Sequence, residues 1–137
     1  MEKILFILVL ILTFIFMEFM AWFSHKYIMH GFLWVLHKDH HKKDHNSWFE
    51  RNDLFFIFYA VVSFINVYAW GEHSFWAGLP IGIGIFVYGF SYFMVHDIFI
   101  HQRFKIFRTS NNRYARGLRR AHKIHHKNLN KDCGECF

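Results

Sequence analysis

The chain has 137 residues, 54% hydrophobic and 22% aromatic, with 16 Lys plus Arg against 10 Asp plus Glu and a net charge of +6. That apolar content excludes a disordered chain, two cysteines exclude a disulfide-stapled secreted domain, and the length fits one domain covering 1–137. Mean hydropathy is only +0.13 because very apolar blocks alternate with very charged ones, and blocks of bilayer length exclude an ordinary soluble core.

In chain order, the first block is Ile4–Phe23, whose one charge is Glu18. It predicts roughly 30 Å of helix, enough to cross a bilayer. It is too long for a signal peptide and lacks a small-residue cleavage site. The segment 24–53 then carries Lys26, Lys38, Lys42, Lys43 and Arg51. A second apolar block, Leu54–Trp70, predicts the next span. The connection 71–74 has no Lys or Arg. The third block, Phe75–Val95, holds Pro80 and the glycines Gly78, Gly82, Gly84 and Gly89, residues that membrane helices tolerate because they let neighbours approach closely. Splitting this block into a fourth span is the less favoured topology. Trp22, Tyr27, Trp70 and Trp76 sit near block ends, as interfacial aromatics do. From His101 onward there are ten Lys and Arg. Cytoplasmic loops concentrate positive charge, so both basic segments are predicted in the cytoplasm and the amino terminus outside. The expected fold is an all-α integral membrane protein of three transmembrane helices with a cytoplasmic histidine-rich helical cap. The basic tail is better explained by anionic membrane lipid than by nucleic acid, for which the chain has no motif.

Ten of the twelve histidines form four clusters: His25-x4-His30, His37-x2-His40-His41, His96-x4-His101 and His122-x2-His125-His126. The predicted topology places all four on one side of the membrane. On a helix, residues three and four apart share a face, so each x2-His-His cluster presents three imidazoles from one stripe. Residues five apart lie about 140° apart on a regular helix. Either the helix ends between the x4 partners or their rings approach different ions; Gly31 is compatible with a helix end just after His30.

Neutral imidazole is the commonest side-chain metal ligand. Ten exceed what one metal takes while keeping an open position, and suit two metals close together. Iron, zinc, copper and nickel all accept imidazole. A haem protein needs fewer histidines, facing each other inside the bundle. A zinc hydrolase would show His-Glu-x-x-His, which is missing. A metal transporter would need polar groups along its spans, which offer little beyond Glu18 and Asn66. His45 and His73 stand outside the pattern and read as surface residues. Cys133-x-x-Cys136 is a weak redox or metal signal. Asp39 and Asp97 adjoin His40 and His96 and are candidates to accept the other ring N–H of a ligand. Asp53 reads equally as the cap of the second span. Glu18 is either a partner of the site or a polar pair between spans.

The order of these clusters resembles the fatty acid hydroxylase and sterol desaturase superfamily of membrane di-iron enzymes. Within it, 25–31, 49–53, 92–103 and 121–126 are similar to the bacterial β-carotene hydroxylases. The resemblance implies that His25, His30, His37, His40, His41, His96, His101, His122, His125 and His126 hold two non-haem irons. It implies an O2-dependent monooxygenase of carotenoid (xanthophyll) biosynthesis that hydroxylates the 3-carbon of β-ionone rings, taking β-carotene to β-cryptoxanthin and zeaxanthin. Electrons would come from reduced ferredoxin or a similar donor. A fatty acid or sterol hydroxylase or desaturase of the same superfamily is the alternative, and a non-enzymatic metal-binding membrane protein the less favoured one.

Overall fold

The computed structural model describes residues 2–104, 106, 109–127 and 131. Cys133 and Cys136 lie outside these residues. Among the described residues every regular element is helical. Helix α1 covers Glu2–Phe23 and runs on into a π-helical segment, Ser24–Phe32. Helix α2 covers Trp34–His41 and α3 covers Asp53–His73. Helix α4, Gly78–Phe93, continues into a second π-helical segment, Met94–Ile100, and α5 covers Arg113–Lys127. Among the described residues three stretches are long and apolar enough to cross a membrane: Glu2–Phe32, Asp53–His73 and Gly78–Ile100. The predicted all-helical architecture with three spans is therefore present. The first and third stretches outrun the apolar blocks because their helical winding continues through the polar residues that follow.

The chain divides into two compact units. One comprises Met1–Ala21 and Leu54–Ser91, the other Trp22–Asp53 and Tyr92–Phe137. In the first, Met17, Ile85 and Tyr88 form a small core ringed by Phe14, Met20, Tyr59, Val62 and Ile81. Two glycines of α4 allow that packing. A Cβ at Gly82 would stand 2.8 Å from the Ser63 carbonyl of α3, and one at Gly84 would stand 2.8 Å from Thr13 Cβ of α1. The Ser63 hydroxyl donates to the Gly82 carbonyl at 2.7 Å. Pro80 sits in the first turn of α4, where the ring breaks no intrahelical bond. Glu18 is a pair between spans: Tyr88 donates its hydroxyl proton to Glu18 Oε2 at 2.8 Å. Most other side chains point outward, Phe64 and Phe86 by 68% and 66%. Such exposure suits helices whose surroundings are lipid.

The second unit is built the opposite way. Its most buried side chains include His37, His125, Asp39 and Ser24. Asn112 caps α5, its carboxamide oxygen accepting from the amides of Tyr114 and Ala115 at 2.9 and 3.1 Å. Arg119 of α5 donates to the Phe99 carbonyl at 2.6 Å and covers the Phe99 ring at 4.2 Å, fastening α5 to the second π-helical segment.

Candidate metal centre

The π-helical segments explain the x4 spacing. In that winding each amide bonds the carbonyl five residues back, so residues five apart stack as residues four apart do in an α-helix. The His101 amide donates to the His96 carbonyl at 2.9 Å. The ring centroids of His96 and His101 are 4.5 Å apart, and those of His25 and His30 are 4.8 Å apart. Both alternatives drawn from a regular helix give way to this geometry. The helical path breaks only after His30, at Gly31.

The imidazoles collect into two sets of four, each with its ligand atoms within 4.8 Å of one another. The first is His25, His30, His37 and His125; the second is His40, His96, His101 and His122. A further group, His41, His125 and His126, shares His125 with the first. Membership is crossed. In each x2-His-His cluster the middle histidine leaves its own stripe for the other set: His40 joins the rings of 96–122, and His125 joins those of 25–37. The stripe expected on α2 and α5 is present as a helix face, but its three rings do not serve one point.

These sets fit metal ions. Several ring nitrogens face each other with no acidic partner between them: His30 and His125 Nε2 at 3.3 Å, His37 and His41 Nε2 at 3.2 Å, and His101 and His122 Nε2 at 2.7 Å. Ligand atoms sharing one ion, each about 2.0–2.1 Å from it, stand roughly 3 Å apart. His40 Nε2, His41 Nδ1 and His126 Nε2 are buried without a hydrogen-bond partner, a costly condition that a metal relieves. Burial, joined by the neighbouring imidazoles, lowers the pKa of His41 and His101 to about 2 each and of His126 to about 4. Burial also takes His37 down to about 3 against the opposing Asn52 hydrogen bond. His40 and His122 move the same way, first through burial. These six rings are thus neutral, each with a lone pair to offer.

The outer nitrogens are anchored. His40 Nδ1 donates to Glu50 Oε2 at 2.8 Å, and His37 Nδ1 to Asn52 Oδ1 at 2.7 Å. His96 Nδ1 lies 3.2 Å from Asp97 Oδ2, and His30 Nδ1 donates to the Lys131 carbonyl at 3.0 Å. Each anchor fixes the tautomer that leaves Nε2 as the lone-pair atom. Asp39, expected beside His40, bonds elsewhere: its Oδ2 accepts from the Arg51 amide at 2.8 Å and from His45 Nε2 at 3.2 Å, tying the loop after α2 to the helix. His45 is therefore a partner of Asp39. His73, at the end of α3 in the other unit, pairs its ring with Tyr68 at 6.2 Å.

Three residues escaped the reading of the sequence. Glu50 and Asn52 lie in the 49–53 stretch, where a polar run just ahead of an apolar span was the available signal. Arg103 closes the 92–103 stretch that carries the resemblance, but nothing beyond that and its charge marked its role. Its guanidinium grips Asp53 through both nitrogens at 2.8 Å and Asp97 at 2.9 Å. The hydrogen bond to Asp53 leads the causes that raise the Arg103 pKa. Burial raises Glu50 above its ordinary range, and the Arg103 charge opposes that rise. Asp53 opens α3, and its Oδ2 also accepts from the Glu50 amide at 3.0 Å. Asp53 thus stands in the first turn of α3 with its carboxylate bonded to Arg103 and to the Glu50 amide.

Comparison with known proteins supplies an independent line. The fatty acid hydroxylase family model matches residues 10–137. The chain is 40% identical to the β-carotene hydroxylase of Pantoea ananas over 119 residues, covering 87% of this chain and 67% of that protein. It is 37% identical to the β-carotene hydroxylase of Paracoccus sp. (strain N81106 / MBIC 01143), covering 87% and 73%. It is 36% identical to the chloroplastic β-carotene 3-hydroxylase 2 of Arabidopsis thaliana, covering 80% and 37%. The chain thus spans about two thirds of the bacterial relatives and little more than a third of the plant ones. No solved structure matches it. With its family model matched over nearly the whole length, the chain belongs to the fatty acid hydroxylase family.

Proposed function

We propose that this chain is a β-carotene 3-hydroxylase, an O2-dependent monooxygenase in which ten histidines hold two non-haem irons. The observation that carries the reading is the convergence of all ten patterned rings in one compact unit, in a chain similar to bacterial β-carotene hydroxylases over 87% of its length. The ten ligands are His25, His30, His37, His40, His41, His96, His101, His122, His125 and His126. Bound iron supplies the activation of dioxygen. One oxygen atom ends in the hydroxyl replacing a ring C–H, and the other leaves as water with two electrons and two protons from a donor such as reduced ferredoxin.

The chain's own residues do the preparatory work. Burial keeps His37, His40, His41, His101, His122 and His126 neutral, so they would bind metal without first losing a proton. Glu50, Asn52 and Asp97 hold ring orientation. Tyr92 stacks on His96 with centroids 4.8 Å apart, and Trp34 lies 5.2 Å from the His41 ring, apolar planes that limit water at the metal positions. The apolar spans suit a substrate that dissolves in the bilayer. The abundance of Lys and Arg in both histidine-bearing segments supports a cytoplasmic face for the site and a charge-steered encounter with an acidic donor.

Pigment analysis in a β-carotene-producing cell tests this reading together with iron quantitation on the purified protein. Zeaxanthin and two irons per chain are expected, and His40→Ala or His125→Ala should abolish the product. Retained zeaxanthin in either variant contradicts the assignment. Hydroxylated fatty acids or sterols with unchanged β-carotene would move the substrate within the family. Labelling that put Lys42 and Lys123 on opposite sides of the membrane would refute the shared face.

A further inference from the structure

The two ring sets differ in what their outer nitrogens meet. In the first, His30 faces a backbone carbonyl and His37 a carboxamide, both neutral. In the second, His40 faces the Glu50 carboxylate at 2.8 Å and His96 the Asp97 carboxylate at 3.2 Å. Both acids belong to a network built around Arg103. Its guanidinium bonds Asp97 and Asp53, lies 4.0 Å from Glu50, and rests over the Trp48 ring at 5.2 Å. The backbone is shaped to bring it there. Gln102 takes a φ of 56°, a left-handed turn unusual for a side chain of this kind, and the Arg103 amide then donates back to the Asp97 carbonyl at 3.0 Å. Three carboxylates surround one guanidinium, so the group facing the second set keeps net negative charge.

A carboxylate that accepts a ring N–H raises the basicity of the imidazole's other nitrogen, and a carboxamide does so much less. We propose that Glu50 and Asp97, held by Arg103, make the second set the tighter and more electron-donating metal position, while Asn52 keeps the first set the weaker one. The inference rests on the reading of the ten histidines as ligands and adds an inequality between the two positions. Glu50, Asp97, Arg103 and Asn52 are positioning residues, acting through the rings they hold.

Cobalt(II) titration of the metal-stripped full-length chain in detergent micelles, followed by ligand-field absorption, tests the inequality without any turnover. The unaltered chain should bind two ions in two steps. Glu50→Gln should weaken the tighter step roughly 10–100-fold and leave the other where it was. Asn52→Asp should tighten the weaker step and narrow the gap. Equal weakening of both steps by Glu50→Gln overturns the proposal, as does an unmoved weaker step in Asn52→Asp. The second variant decides the matter alone if the first does not fold. Two ions of equal affinity in the unaltered chain also overturn the inequality while leaving the ligand reading intact. Fewer than two ions would count against that reading itself.

Discussion

The two units of this chain solve opposite packing problems. In the unit of Met1–Ala21 and Leu54–Ser91 the apolar side chains point outward and a thin core forms around Met17, Ile85 and Tyr88. In the unit of Trp22–Asp53 and Tyr92–Phe137 the interior is largely imidazole and carboxylate. The first needs close helix approach and little else, so many side chains can occupy its outer faces. The second holds polar groups whose burial is costly unless every one is partnered. Tolerance to substitution should therefore split along the division between the units.

The largest expected effect falls in the histidine unit. His125 belongs to two of the ring groups, so His125→Ala should lower iron per chain more than His41→Ala does, with zeaxanthin falling below detection by chromatography. Equal iron loss in the two variants would erase the special standing of His125. Next comes the helix contact in the spans. At Gly84 an added methyl meets Thr13 Cβ at 2.8 Å and the Leu10 carbonyl at 3.0 Å, so Gly84→Ala should cost about 1–3 kcal/mol in detergent unfolding. Gly89, where the nearest atom would be 3.8 Å away, should accept alanine within about 0.5 kcal/mol. A comparable loss at Gly89 would show that helix flexibility, not close approach, governs this unit. Smaller again is Tyr88→Phe, which removes the hydrogen bond to Glu18 and should cost about 1 kcal/mol by the same measurement. Phe64→Leu, on an outward face, should change unfolding by less than about 0.5 kcal/mol. A larger change would place Phe64 in a contact that burial does not reveal.

Much of this was legible beforehand. Apolar length alone marked the three spans, and the repeated x4 and x2-His-His spacings marked all ten clustered rings. What stayed hidden were departures from regular geometry. A regular helix puts His25 and His30 on different faces, and only the wider winding of the π-helical segments brings them together. A helical stripe makes His37, His40 and His41 neighbours, but spacing is silent on which ring swings to another set. Glu50, Asn52 and Arg103 were hidden for a different reason: their partners are remote in sequence, Arg103 lying 50 residues from Asp53. Adjacency was an uneven guide: Asp97 does meet the ring of neighbouring His96, whereas Asp39 turns to the Arg51 amide and His45.

The crossing of His40 and His125 also has a temporal side. Neither arm of the chain owns four rings of one set: 25–41 lacks the fourth member of the first, and 96–126 lacks the fourth member of the second. During synthesis the early arm emerges with an unfinished quartet that must wait for residue 125. An ion captured before then would sit in an incomplete cage and exchange freely. If these rings hold metal, stable loading of the first quartet is deferred until both arms have been made, a timing control written into which ring stands in the middle of each motif.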